Sequence, residues 1–313
     1  MRIPRSTVVA LVAALMVGSS TQAEAIVSPV KILGGPEYQD SPFSNGTFLA
    51  WESNSVRHAG HWDAFAKKLG SDHEIKLNQK GTEGIPGSFL PGTDQVVLQQ
   101  YDRRYVVSDL YLYDLSSRSS KPISGVNTDQ WEWQPRISKK FLLFGRFDAN
   151  RDRLLLYKRD SGFTRKLEDV NYQKREFFPD FVGERYASWS VCGSVSHGNY
   201  GFCASYIYDT VNGITTKVPA GGRLAYSSTI DEERRDVYTV RSGVGCGVNV
   251  GIWKWHLGGG DPKRIANMPD DVDVFVMSLA PSSSGHLDLY FDRIACKGHA
   301  DIYRARRVDE IAV

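Results

Sequence analysis

Several residues have types and spacings that chemistry could use. Asp148-Ala149-Asn150-Arg151-Asp152 has the D-x-N-x-D spacing of a calcium loop, in which alternate oxygens converge on one hard cation. The glycine and distal glutamate of an EF-hand are absent, and Asp and Asn are also ordinary turn formers. His58 and His61 lie three apart, with His197 and His299 further on; two such ligands and a third from elsewhere would suit zinc, while solvated loop histidines are the plainer reading. Ser194-Val195-Ser196-His197-Gly198 lacks the first glycine of G-x-S-x-G, so no nucleophile elbow is expected. Glu52, Asp148 and Asp292 are carboxyls that a hydrolase could pair, given a separation of about 5 to 10 Å. Arg146, Arg241 and Arg293 could hold an anion. Trp131 and Trp133 read as packing residues rather than a sugar platform. No motif calls for a cofactor, and neither a cofactor nor a resident metal is expected.

Which of these can act together depends on the elements that carry them, and the elements repeat. A β-rich run recurs as Phe48-Leu49-Ala50-Trp51, Val96-Val97-Leu98, Phe141-Leu142-Leu143-Phe144, Tyr186-Ala187-Ser188-Trp189, Val237-Tyr238-Thr239-Val240 and Leu287-Asp288-Leu289-Tyr290-Phe291. An aromatic-rich run follows each, as in Leu110-Tyr111-Leu112-Tyr113-Asp114 and Gly251-Ile252-Trp253-Lys254-Trp255. A turn and an aliphatic residue come next, at Leu77, Ile123, Leu167, Val218 and Ile265, in steps of 46, 44, 51 and 47. That step is the length of a four-stranded antiparallel blade. The three landmarks are strands B, C and D. Strand A precedes B, as in Ala225-Tyr226-Ser227-Ser228 and Val274-Phe275-Val276-Met277. One sheet with two apolar faces cannot bury both alone, so an all-β, six-bladed propeller is predicted over residues 26–313.

The two ends fit that plan. Arg2 and Arg5, the apolar run Thr7 to Val17 and Ala23-Glu24-Ala25 form a signal peptide, cut after Ala25. Its apolar core is well short of the roughly 20 residues a spanning helix needs, and no other segment is long and apolar enough to span. The mature chain is expected to be secreted or periplasmic. With 38 basic and 36 acidic residues there is no basic excess for nucleic acid. The last unit runs out at Ile311-Ala312-Val313, so a strand within residues 26–40, Val30-Lys31-Ile32-Leu33, is expected to clasp onto it. Alternatively Val308 to Val313 forms that strand and residues 26–40 are a loose arm.

The unit resembles the TolB-like six-bladed propeller, an extracytoplasmic relative of the WD40 repeat, as a divergent member. Ser41-Pro42-Phe43-Ser44-Asn45-Gly46 matches the family's A to B turn, close to P-x-F-S-P-D-G; Phe181-Val182-Gly183-Glu184 and Ile230-Asp231-Glu232-Glu233 depart from it. The resemblance implies a propeller that binds proteins or glycans through one face, usually without catalysis.

Placed on the units, Cys192 ends strand B and Cys203 opens strand C of the fourth, while Cys246 and Cys296 occupy the B to C loops of the fifth and sixth. Pairing Cys192 with Cys203 and Cys246 with Cys296 follows, because bridged Cα atoms lie within about 7 Å. Strand B ends hold Glu52, Gln100, Arg146, Arg241 and Arg293, with Asp102, Asp148 and Asp292 beside them, and these are expected to converge at the channel mouth. The arginines there either take an acidic ligand or pair with the neighbouring aspartates. The function expected is a monomeric, non-catalytic binding module for a protein or cell-envelope ligand. The alternative is a carbohydrate-active or ester-cleaving propeller hydrolase using the channel-mouth carboxylates.

Overall fold

The computed structural model describes residues 27–312 apart from 36, 55–60, 103, 105–106, 149–150, 172–174, 197–198, 222–223 and 297. The signal peptide of residues 1–25 lies outside the described residues, as do His58 and His197.

Strands follow the landmarks. β2 (Tyr38–Ser44), β3 (Phe48–Asn54), β4 (Trp62–Lys68) and β5 (Glu74–Lys76) form one antiparallel sheet. β6 (Thr82–Phe89), β7 (Gln95–Asp102), β8 (Ser108–Asp114) and β9 (Ser119–Pro122) pair in the same way. So do β10 (Trp131–Ile137), β11 (Phe141–Asp148), β12 (Arg151–Lys158) and β13 (Thr164–Asn171). These two sets form one eight-stranded sheet, joined where Trp131 partners Ser108 in parallel. β14 (Glu176–Val182) to β15 (Tyr186–Ser196), β16 (Asn199–Asp209) and β17 (Ile214–Lys217) make another sheet. A further one comprises β18 (Leu224–Asp231), β19 (Asp236–Ser242), β20 (Gly251–His256) and β21 (Lys263–Asn267). In the last, β22 (Val272–Asp273) and β23 (Met277–Pro281) both pair β24 (Leu287–Ala295), which pairs β25 (Ala300–Ala305). The architecture is an all-β propeller of antiparallel, four-stranded blades.

β1 (Val30–Leu33) pairs antiparallel with β25, Val30 opposite Arg304 and Lys31 opposite Tyr303. The clasp is therefore narrower than residues 26–40, because Tyr38, Gln39 and Asp40 already belong to β2. Val308–Glu310 is a short 3-10 turn rather than an outer strand.

The recurring aliphatic of strand D marks where each sheet is sealed. Leu77, Val218 and Ile265 are buried, and the N–H groups of Leu77, Ile123 and Val218 bond the strand C carbonyls of Ala64, Leu110 and Ser205. Apolar faces of neighbouring sheets meet in shared clusters; Leu143, Leu154 and Leu156 pack with Phe177, Trp189 and Tyr208.

Two strand assignments needed correction. β15 and β16 run past the cysteines to Ser196 and Asn199, so Cys192 and Cys203 are cross-strand partners within the ladder rather than its ends. Val274–Val276 lies between β22 and β23 instead of within a strand, for a reason found in the channel.

Candidate functional site

Five inner strands change register against their neighbours, between Asp40 and Phe43, Pro86 and Phe89, Trp133 and Arg136, Pro179 and Phe181, and Tyr226 and Ser228. Pro42, Pro86, Pro135 and Pro179 sit at or beside these shifts, consistent with a residue that has no N–H to give a ladder. Ser41, Gln134 and Ser227 take left-handed conformations there, with φ of 53°, 44° and 48°. Such conformations cost on the order of 1 kcal/mol or more for a residue with a Cβ, and side chains from strand B hold them. The Gln134 N–H bonds Gln99 Oε1 at 3.0 Å, and the Ser227 N–H bonds Ser190 Oγ at 2.9 Å. In the last blade Asp292 takes the N–H groups of Phe275 and Val276 at 2.7 and 3.0 Å, which removes residues 274–276 from the ladder.

Inside this ring of bulges is a chamber of about 280 Å3, walled by Tyr38, Asp40, Ser41, Glu52, Tyr226 and Phe275 among others. A second cavity of about 240 Å3 lies toward the A to B turns at Asn45 and Gly92. Arg136, Asp180 and Met277 line both and form the waist between them. Cys192 and Ile294 place the first chamber on the side where strands B end.

The chamber is rich in carboxyls. Asp40 and Glu52 are cross-strand partners. Ser41 Oγ donates to Glu52 Oε1 at 2.5 Å, and the Ser41 N–H bonds Asp40 Oδ1 at 2.5 Å. Burial and then the Asp40 charge push Glu52 up to about 8, against the relief given by Ser41 and Arg136. Asp292 has no exposed surface; burial first, and then the charge of Asp40, hold it well above the usual carboxylate range. Asp180 accepts Ser190 Oγ at 2.5 Å and Ser228 Oγ at 3.2 Å, and burial raises it to about 6. Arg136, 5% exposed, donates to the carbonyls of Asp180 and Pro135 and lies 4.4 Å from the Phe43 ring centre. Burial lowers its pKa to about 10.

Of the residues expected at the channel mouth, Glu52 and Asp292 come together around Asp40, and the others do not join them. Arg146 donates to Glu132 and to the Val126 carbonyl. Arg241 reaches the Pro219 carbonyl and stacks on Trp253. Arg293 lies over Tyr303. The three arginines form no common funnel: Arg293 follows Asp292, and alternate residues of a strand face opposite sides of the sheet. Gln100 caps the N–H of Gln79, Asp102 pairs with Arg104, and Asp148 pairs with Arg153. Asp152, four residues on, instead accepts Trp133 Nε1 at 3.0 Å, and Trp133 stacks on Phe177 between sheets. His61 is engaged with Glu83. Among the described residues no group of three His, Cys, Asp or Glu is placed to hold a metal ion, and no helix is long and apolar enough to cross a membrane.

Both cysteine pairs are joined, Cys192 to Cys203 and Cys246 to Cys296, with Cα separations of 4.2 and 5.8 Å. Sequence reasoning missed Tyr38, Asp40, Ser41, Arg136 and Asp180. Their signal was available as Asp40-Ser41-Pro42, Gln134-Pro135-Arg136 and Pro179-Asp180, a proline beside polar residues inside an otherwise β-rich run.

No family profile matches the chain, and no curated protein matches it in sequence. Solved structures do match. The putative TolB from Agrobacterium tumefaciens aligns at 11% identity with a TM-score of 0.56, over 87% of this chain and 91% of that one. The β-propeller domain of the trilobed protease from Pyrococcus furiosus, described as having an open velcro topology, aligns at 12% and 0.52, over 86% and 93%. An oligogalacturonate lyase in complex with manganese aligns at 12% and 0.51, over 92% and 99%. At these identities the likeness is one of fold.

Proposed function

We propose that the chain is an exported, monomeric, non-catalytic propeller of six blades, a divergent TolB-like protein that binds a protein or cell-envelope ligand at the chamber on the strand B end of its channel. The six-blade count takes the eight-stranded sheet as two blades touching at Trp131 and Ser108. Export is supported by the leader pattern and by two disulfides, which persist in oxidising compartments.

The observation that carries the binding reading is the employment of the chamber's carboxyls. Asp180 holds two serines and Glu52 holds Ser41, while Asp292, behind the wall, uses both oxygens on the backbone N–H groups of Phe275 and Val276, which line it. Groups committed to the wall in this way shape a cavity of about 280 Å3 rather than act on its contents. Replacing Ile294, which lines the chamber without a side-chain hydrogen bond, by tryptophan fills it from the mouth. Capture of the purified chain on envelope fractions is expected to fall at least several-fold in Ile294→Trp with the unfolding midpoint unchanged. Unchanged capture overturns the placement.

One observation favours the hydrolase alternative. Glu52, raised to about 8, holds its proton at neutral pH as a general acid must. Turnover of a glycoside or ester substrate, abolished by Glu52→Gln, would decide for it.

A further inference from the structure

All five sheets contribute to the wall of the strand B chamber, and their side chains sort into two chemistries. Tyr38, Phe178, Tyr226 and Phe275 supply aromatic surface, with the Tyr226 and Phe275 rings 6.1 Å apart. Asp40, Glu52 and Asp180 supply carboxyls, and Arg136 is the one cation of the lining. Arg136 is already committed, to the carbonyls of Asp180 and Pro135 and to the face of Phe43, which walls the other cavity. Glu52 is only half committed. It is 8% exposed; its Oε1 accepts Ser41 Oγ at 2.5 Å, and its Oε2 accepts no hydrogen bond among the described residues. The left-handed turn at Ser41 fixes Oε1 to the wall, which leaves Oε2 to the contents of the chamber.

A buried carboxylate oxygen without a donor is costly, and aromatic walls attract organic cations. Together they suit a charged head that donates N–H groups on an apolar stem. At about 280 Å3 the chamber is just smaller than the about 300 to 1,000 Å3 of sites for whole small ligands, a size for one side chain.

We propose, on the reading of the chamber as the binding site, that it receives the basic side chain of a partner protein, whose ammonium or guanidinium donates to Glu52 Oε2 among the aromatic residues.

Occupancy is coupled to a proton. In the empty chamber burial, and then the Asp40 charge, raise Glu52 to about 8, so it is mainly protonated at neutral pH. A bound cation requires the ionised form, and binding therefore expels the proton. Affinity is full above about pH 8 and falls by up to about tenfold per unit as pH drops below it. Asp40, Arg136 and Tyr38 face Glu52, with Asp292 beyond Asp40 and Asp180 beside Arg136. Asp180, raised to about 6, ionises before Glu52, and Arg136, lowered to about 10, stays charged through that range. Burial keeps Tyr38 neutral. Asp40 and Asp292 are common to the wild type and Glu52→Gln, so the difference between the two proteins isolates Glu52.

Isothermal titration of the purified chain with Nα-acetyl-lysine amide, Nα-acetyl-arginine amide and the uncharged Nα-acetyl-citrulline amide tests this. At about pH 8 at least one basic probe is expected to bind saturably, about tenfold or more tighter than the citrulline probe. Its affinity should fall by about tenfold or more from about pH 8 to about pH 6, and buffers of different ionisation heat should show the released proton. Glu52→Gln should bind it about tenfold or more weakly at about pH 8, with the pH dependence lost. No binding of either basic probe, equal binding of the citrulline probe, or a flat pH profile overturns the proposal. Those three outcomes need only the wild type, so they decide even if Glu52→Gln does not fold. Envelope capture is read separately. Capture lost in Ile294→Trp with no binding of the basic probes overturns the cation and leaves the binding site standing. Probe binding lost in Glu52→Gln, with capture unchanged in Ile294→Trp, supports the cation and removes the envelope as the source of the partner.

Discussion

Arg146 Nε donates to Glu132 Oε1 at 2.8 Å across β11 and β10, and Glu132 has no exposed surface. The pair is a strut of the blade, with Thr128 Oγ on the same carboxylate at 2.6 Å. Removing one partner of a buried pair leaves the other charge uncompensated, at a cost of about 3 to 5 kcal/mol. Because Arg146 retains some exposure, Arg146→Ala is expected to lose about 3 kcal/mol in urea unfolding. A loss under about 1 kcal/mol would return Arg146 to the solvated rim.

The Cys246 to Cys296 bridge joins two neighbouring blades across a sequence separation of 50, while Cys192 to Cys203 spans 11 within one ladder. On the chain-entropy estimate the first contributes about 4 kcal/mol and the second about 3 kcal/mol. Replacing Cys246 and Cys296 by alanine should therefore cost the more through the unfolded state, although both residues are exposed. Equal denaturant midpoints for this variant and the wild type would show that the loops are held by other contacts.

Legibility in the sequence divides along the direction of the strands. The repeat was readable because strands B, C and D bury alternate apolar residues at a fixed step, and Cys246 and Cys296 could be paired from it. Glu52 and Asp292 were readable as strand B residues near the channel. The chamber's own wall was not, because Asp40, Ser41 and Asp180 lie on inner strands whose bulges break the period of two, and a shift of one residue moves a side chain to the other face. Arg146 and Arg293 failed as a common site because neighbouring residues of a strand B face opposite sides of the sheet, as Asp292 and Arg293 do.

Asp152 has its carboxyl raised to about 7, by burial first, with Trp133 Nε1 relieving part of the shift. A carboxyl raised above its unfolded value stabilises the fold fully below about pH 4, and that contribution is lost as pH rises through about 7. Asp152→Asn keeps an acceptor for Trp133 without the charge. It is expected to gain about 1 to 3 kcal/mol over the wild type at pH 8 and little at pH 4. The ratio of unfolding constants at the two pH values checks this, and a gain larger at pH 4 contradicts the assigned burial.

Ser190 carries the chamber wall at its most constrained point. Its hydroxyl donates to Asp180 at 2.5 Å, accepts the Ser227 N–H at 2.9 Å, and meets Ser205 Oγ at 3.1 Å, where Ser205 must be the donor because the Ser190 proton is already committed. Ser190→Ala leaves the bulge N–H of Ser227 and one bond to Asp180 unmade in a buried place. Each unsatisfied buried group costs about 1 to 3 kcal/mol, so a total loss of about 3 kcal/mol is expected. Ser205→Ala removes a donor from an oxygen that keeps another, and should cost less than about 1 kcal/mol. Urea unfolding of the two variants side by side tests the ordering. If Ser205→Ala proves as costly as Ser190→Ala, the left-handed turn at Ser227 is held by something other than this hydroxyl.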